Sequence, residues 1–178
     1  MTININGNWI EQVKDSIPDH SNNIKLNLDV VITNSGLDPV DTHACALASA
    51  LIAGNGGLAF EIEHNSPLFF AEAEREAAKA AASLAGMITI WDSFSSLTSD
   101  SLSLMTGDIA SSELHMDNYS GVSNKKFQMY LLAACTVCQS SALKHYYNSL
   151  KADGMSVQEL MAIGRIAAVV TAIGKIAI

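Results

Sequence analysis

Charge is scarce in this chain. Of 178 residues only 16% are Asp, Glu, Lys or Arg, and the balance is acidic, with a net charge of −8. Lysine and arginine form no cluster, which argues against nucleic-acid binding through phosphates. Aromatic residues are few as well, 6% against 49% hydrophobic overall, so alanine, leucine and isoleucine must fill the core. Small aliphatic side chains suit closely packed helices better than a sheet, which draws on β-branched and aromatic residues. Met1 to Asn8 is polar and lacks an apolar h-region, so no secretory signal is expected. No membrane span is expected either, because Arg165 and Lys175 interrupt the most apolar stretch, Leu160 to Ile178. Cysteine is limited to three residues. Without a secretory signal these point to a reducing cytoplasm, where a lasting structural disulfide is disfavoured and a transient catalytic one is allowed.

What is present is helix punctuation. Asn8 to Ile17 reads as a short amphipathic helix closed by Pro18. Ile24-Lys25-Leu26-Asn27-Leu28 leads into a second element ending near Gly36. Asp38-Pro39 is an N-cap followed by proline at the first helical position, and the helix it opens stops at Gly54-Asn55-Gly56-Gly57. A shorter helix follows over Leu58 to Glu63. Ser66-Pro67 repeats the device and opens the longest helix, Leu68 to about Phe94. Glu72, Glu74 and Glu76 complement the positive end of its dipole, and with Arg75 they read as a solvated face. Thr98 to Tyr119 is polar and serine-rich, a long connection with one helical turn near Ile109. Ser123-Asn124 caps the next helical run, ended by Gly154 as a C′ glycine. Ser156-Val157-Gln158-Glu159 matches a capping box, and the last helix runs to the C-terminus. With no strand pattern, repeat or linker, residues 1–178 read as a single all-α domain.

Cys135-Thr136-Val137-Cys138 carries the chemistry. Two thiols with two residues between them can close a small disulfide: one sulfur attacks and the other resolves. At a helix start the first thiol of such a pair is often a thiolate, held by the dipole and by unpaired backbone N–H groups. The opposing reading is two buried thiols on one helix face. Leu131-Leu132-Ala133-Ala134 precedes the pair with no breaker, and in a continuous helix the thiols would lack those N–H groups. His145 follows Cys138 by seven residues, two turns on, either a proton carrier acting through water or a partly exposed residue beside Lys144 and Tyr146. His43 and Cys45 project from different faces of one helix, so no zinc site is expected.

The chain resembles alkyl hydroperoxidase D, the helical peroxidase/disulfide-reductase member of the carboxymuconolactone decarboxylase-like superfamily. The likeness rests on Ile24 to Leu28, Leu47-Ala48-Ser49-Ala50, the alanine-rich helix with Ala85-Gly86-Met87, Phe127, the cysteine and histidine region, Gly154, and Ile166-Ala167-Ala168-Val169-Val170. The resemblance implies an AhpD-like helical bundle, assembled as a homotrimer or hexamer. It implies a thiol-dependent antioxidant of the alkyl hydroperoxide reductase type, with no haem, flavin or metal cofactor. Its partners would be a peroxiredoxin and a dihydrolipoyl protein, with no nucleic acid and no membrane.

The family's site is a glutamate upstream of Cys-x-x-Cys-x-x-x-His, and this sequence departs from it. Four residues after Cys138 stands Ala142. A second alignment puts Cys138 at the first cysteine, Ser141 at the second and His145 at the histidine, with Cys135 as a replacement partner one turn earlier. On either alignment the glutamate falls on Gln128, whose amide does not titrate. By resemblance the catalytic residues are Cys135, Cys138 and His145, with Cys138 attacking. The alternative is a degenerate AhpD-like scaffold, without peroxidase activity, that binds a ligand or partner. A decarboxylase or lactone-handling member is a third class, and such members need no CxxC.

Overall fold

The computed structural model describes residues 8–67, 70–95 and 121–176. The Thr98–Tyr119 connection, its turn near Ile109, and the helix start at Leu68 lie outside these residues. Among the described residues there are eight α-helices and no strand: α1 (Asn8–Ser16), α2 (Asn22–Thr33), α3 (Pro39–Ile52), α4 (Gly56–Asn65), α5 (Glu72–Ser95), α6 (Asn124–Cys138), α7 (Leu143–Ala152) and α8 (Val157–Lys175). A 3₁₀ turn, Asp19–Ser21, joins α1 to α2. The all-α bundle expected from composition is the fold.

Most expected capping residues act as the sequence implies, and Asn55 adds one that the sequence marks only as part of a helix stop. Ser66, expected to open the longest helix, instead ends α4 with its hydroxyl donating to the Ile62 carbonyl. Asp38 accepts the Val40 N–H at 2.9 Å with Pro39 in the first turn of α3. Asn55 accepts the Leu58 N–H at the start of α4. Ser156 and Glu159 form the reciprocal capping box of α8. Each such cap satisfies helix N–H groups that would otherwise lack partners and is worth about 1 kcal/mol.

Helix α3 is the axis of the bundle. Every residue from Asp41 to Ala50 is buried. A helix buried all round must be slim and weakly charged, and Ala44, Ala46, Ala48 and Ala50 meet that need. Its one buried serine is satisfied internally, Ser49 Oγ donating to the Cys45 carbonyl at 2.7 Å. Helices α5, α6 and α8 pack directly on it. Their own contact faces are small where they meet: Ala77, Ala78, Ala81 and Ala85 on α5, Ala133 and Ala134 on α6. The alanine-rich composition is thus the condition for close approach of four helices.

Helix α8 is the one described helix long and apolar enough, by length and composition, to cross a membrane. Arg165 and Lys175 do not rule it out on those criteria, contrary to the sequence expectation. Its periodicity decides its place here. Leu160, Ile163, Ile166, Ala167, Val170 and Ile173 are buried along one stripe facing α2, α3 and α6, while Met161, Arg165 and Ala168 are exposed.

The first turns of α5 also differ from the solvated face expected of them. Glu74 lies 3.9 Å from Lys126, and the Arg75 guanidinium sits over the Phe70 ring at 5.3 Å. Only Glu72 and Glu76 stand exposed.

Candidate thiol site

The thiol pair lies at the C-terminal end of α6, not at a helix start. Cys138 is the last residue of the helix. Gln139 follows with φ 53° and ψ 39°, the left-handed conformation that ends a helix, and its N–H bonds to the Cys135 carbonyl. The Ser140 N–H donates to the same carbonyl at 3.1 Å. The break comes immediately after the second cysteine, and α7 begins at Leu143. One long run from Phe127 to Leu150 is therefore two helices. The free groups beside the sulfurs are carbonyls, and the negative end of the dipole faces them.

The two thiols differ. Cys135 is fully buried. Burial pushes its thiol up to about 12, with the nearby Cys138 charge and the Asp92 carboxylate adding to the rise and the Ser140 hydroxyl opposing it. Cys138 is half-buried. The Thr89 hydroxyl lies 3.1 Å from its Sγ, and the sulfur stands 3.8 Å from the Ala85 carbonyl and 3.9 Å from the Cys135 carbonyl. Thr89 and Ala85 belong to α5, so two helices build the Cys138 environment. One turn further along α5, Asp92 accepts the Ser141 hydroxyl and ties α5 to the α6–α7 turn. Tyr146 on α7 closes the side near Cys135; burial first, then the Cys135 charge, pushes its phenol up to about 12.

His145 is in the first turn of α7 and exposed. Its ring stands edge-on to Tyr146 with centroids 5.2 Å apart, and among the described residues it makes no hydrogen bond to either sulfur. Gln128 is two turns before Cys135. Its side-chain oxygen accepts the Ser149 hydroxyl at 2.8 Å, which fastens α6 to α7. The structure thus gathers Cys135, Cys138, Ser140, Ser141 and Tyr146 with Thr89 and Asp92, and it leaves Gln128 and His145 at the margins. His43 and Cys45 have separate surroundings. His43 packs between Trp9 and Phe70 with its Nδ1 2.7 Å from the Pro39 carbonyl, and Cys45 donates to the Met129 carbonyl at 3.7 Å.

Sequence reasoning passed over Thr89 and Asp92. The available signal was their spacing: two polar residues three apart in the apolar second half of α5 mark a helix face turned toward other polar groups. It also passed over a second polar cluster. Asp41, only 7% exposed, accepts the Tyr130 phenol at 2.8 Å and lies 3.3 Å from Lys126.

The arrangement is that of an all-α protein with an asymmetric thiol pair at a helix–helix turn. No family model matches the chain. Along most of its length it is similar to proteins named alkyl hydroperoxide reductase AhpD. That of Rhodospirillum centenum is 27% identical over 94% of this chain and 89% of that protein. That of Coxiella burnetii is 28% identical over 95% of this chain and 97% of its own length. That of Hyphomonas neptunium is 26% identical, covering 94% of this chain and 92% of that one. Likeness at 26–28% identity along nearly the whole chain supports an AhpD-like assignment.

Proposed function

We propose that this AhpD-like protein is a thiol-dependent antioxidant in which Cys138 attacks and Cys135 resolves. The observation that carries this reading is the asymmetry of the pair. Cys138 is half-buried beside a hydroxyl donor, while Cys135 is fully buried with its thiol pushed up to about 12. A thiol held protonated is a poor first nucleophile and can still act as the second one.

The chemistry balances with a hydroperoxide as oxidant. The Cys138 thiolate attacks the terminal peroxide oxygen, the O–O bond breaks, and the alkoxide takes a proton from water and leaves as alcohol. Cys138 is then a sulfenic acid. The Cys135 sulfur attacks it, giving up its proton as water departs, and a disulfide forms. Three residues apart on a helix, two Cβ atoms stand about 5–6 Å apart, whereas a disulfide needs about 3.5–4.5 Å. Closure therefore requires the last turn of α6 to loosen, giving up the bonds from the Gln139 and Ser140 N–H groups to the Cys135 carbonyl. A dithiol of the dihydrolipoyl class would return both electrons, and by resemblance a peroxiredoxin disulfide could replace the peroxide. His145, exposed in the first turn of α7, is the candidate proton carrier. Such a cycle needs a reducing compartment such as the cytoplasm.

A second reading, an AhpD-like scaffold that binds a ligand or partner without dithiol chemistry, is favoured by the position of the pair at a helix C-terminus and by the engagement of Gln128 with Ser149. One experiment separates the two. Thiols are counted and intact mass measured after mild tert-butyl hydroperoxide, then after dihydrolipoamide, on wild type and Cys138→Ser. Reversible loss of two thiols and two hydrogens in wild type, absent from the variant, supports the antioxidant. Thiols that stay reduced, or oxidise singly and slowly, support the scaffold.

A further inference from the structure

Cys138 is at the wrong end of a helix to be served by backbone N–H groups, so a sulfur anion there needs a donor from elsewhere. The α5 hydroxyl of Thr89, 3.1 Å from Sγ, is in reach. The same hydroxyl oxygen is 2.8 Å from the Ala85 carbonyl, one turn back along its own helix. A hydroxyl has one proton and cannot donate fully to both. We infer that Thr89 is a hydroxyl switch for Cys138, donating to the Ala85 carbonyl while the sulfur is protonated and to the sulfur when it is a thiolate.

The geometry supports both settings. With the thiol protonated, Thr89 bonds back to the preceding turn, as threonines in helices commonly do. The S–H can then donate to the Thr89 oxygen or toward the Ala85 carbonyl, 3.8 Å from the sulfur. When the thiol proton is lost to solvent, rotation about the Cβ–Oγ bond alone turns the Thr89 proton onto the anion. No heavy atom moves, because the β-branched side chain is stiff at χ1. The Ala85 carbonyl keeps the backbone N–H of its helix and loses only this second donor. Thr89 and Cys138 are both half-buried, so water reaches the bond only in part. The inference deepens the proposed function, resting on Cys138 as the attacking sulfur, and it assigns to a residue of another helix the task that backbone N–H groups perform at a helix start.

The test is the pH dependence of iodoacetamide alkylation at Cys138, located by peptide mass spectrometry on the full chain. It is run on wild type, Thr89→Val, Thr89→Ala and Thr89→Ser, with circular dichroism to show that each is folded. Valine keeps the shape and removes the donor; alanine does the same with less bulk should valine not fold. One hydrogen bond to a charged group corresponds to about one pH unit or somewhat more. The alkylation midpoint is therefore expected to move up by about one unit in valine and alanine, with about a tenfold slower rate at pH 7. Serine, which restores the hydroxyl, should follow wild type. Identical profiles in wild type and Thr89→Val overturn the inference, as does a serine profile that follows valine. The readout contains no peroxide, so a shifted midpoint in a protein that fails to reduce peroxide would uphold the switch and remove the antioxidant reading.

Discussion

Removing one oxygen atom, by Tyr130→Phe, should cost this protein about 2 kcal/mol at neutral pH. Tyr130 is fully buried in α6, and its phenol donates at 2.8 Å to Asp41, which is 7% exposed at the start of α3. Phenylalanine fills almost the same space, so cavity formation contributes little. What is lost is a hydrogen bond to an ionised, nearly buried carboxylate, worth about 1.5–3 kcal/mol. Lys126, 3.3 Å from the same oxygen, remains as a partner and keeps the penalty from growing larger. For a chain of this size the loss corresponds to about 4–8 °C in melting temperature.

The penalty should depend on pH, with a sign that follows from linkage. Burial raises the Asp41 pKa more than Tyr130 and Lys126 lower it. The folded state therefore binds the proton more tightly than the unfolded one. This carboxyl's contribution to stability is complete below its unfolded value and is lost as pH rises through the folded value. Removing the phenol raises the folded value further, so the cost of Tyr130→Phe is full above that value and shrinks on acidification. Urea unfolding of wild type, Tyr130→Phe, Asp41→Asn and the double variant, at neutral and acidic pH, measures the coupling. A coupling below about 0.5 kcal/mol at neutral pH, the range of an ordinary surface pair, would refute the reasoning.

Three further outcomes follow from the site and its helices. With its thiol pushed up to about 12, Cys135 should be alkylated far more slowly than Cys138 at each pH in the folded protein, and become equally reactive only in denaturant, as peptide mass spectrometry would show. Asp92→Asn removes a charge that helps hold the Cys135 thiol high, so its alkylation profile should move to lower pH, while an unmoved profile would show burial alone to be responsible. Gln139→Gly should stabilise the protein by about 0.5–1 kcal/mol in thermal unfolding, because the exposed Gln139 carries the one positive φ of a non-glycine residue among the described residues, 53°, and glycine adopts it without steric penalty.

Much of the helix plan was local and could be read locally. Asp38-Pro39, Ser123, Ser156 with Glu159, and Gly154 act through their own backbone neighbours, so their meaning is carried within a few residues of chain. The alanine content likewise announced helices that approach closely, since the physical requirement is size alone. Ser66-Pro67 has the form of a helix start, but Ser66 ends α4 and α5 begins at Glu72. The break after Cys138 was harder still. No glycine or proline marks it, and the residue that turns the chain is a glutamine held left-handed by bonds to the Cys135 carbonyl.

By itself the sequence determined an all-α protein of low charge, its capping scheme, a CxxC pair and its likeness to the AhpD proteins. Only the tertiary structure decided what surrounds the pair. Thr89 and Asp92 stand more than forty residues away from the cysteines in the chain. They reach the site because the small faces of α5 and α6 pack together, beside α3, and a side chain's partners across such a contact are not encoded in its own neighbourhood. The same holds for Asp41, Tyr130 and Lys126: each is an unremarkable residue on its own helix, and burial against the others makes the cluster. Burial also separates the two thiols, since the depth of Cys135 and the partial exposure of Cys138 depend on where the bundle places the end of α6.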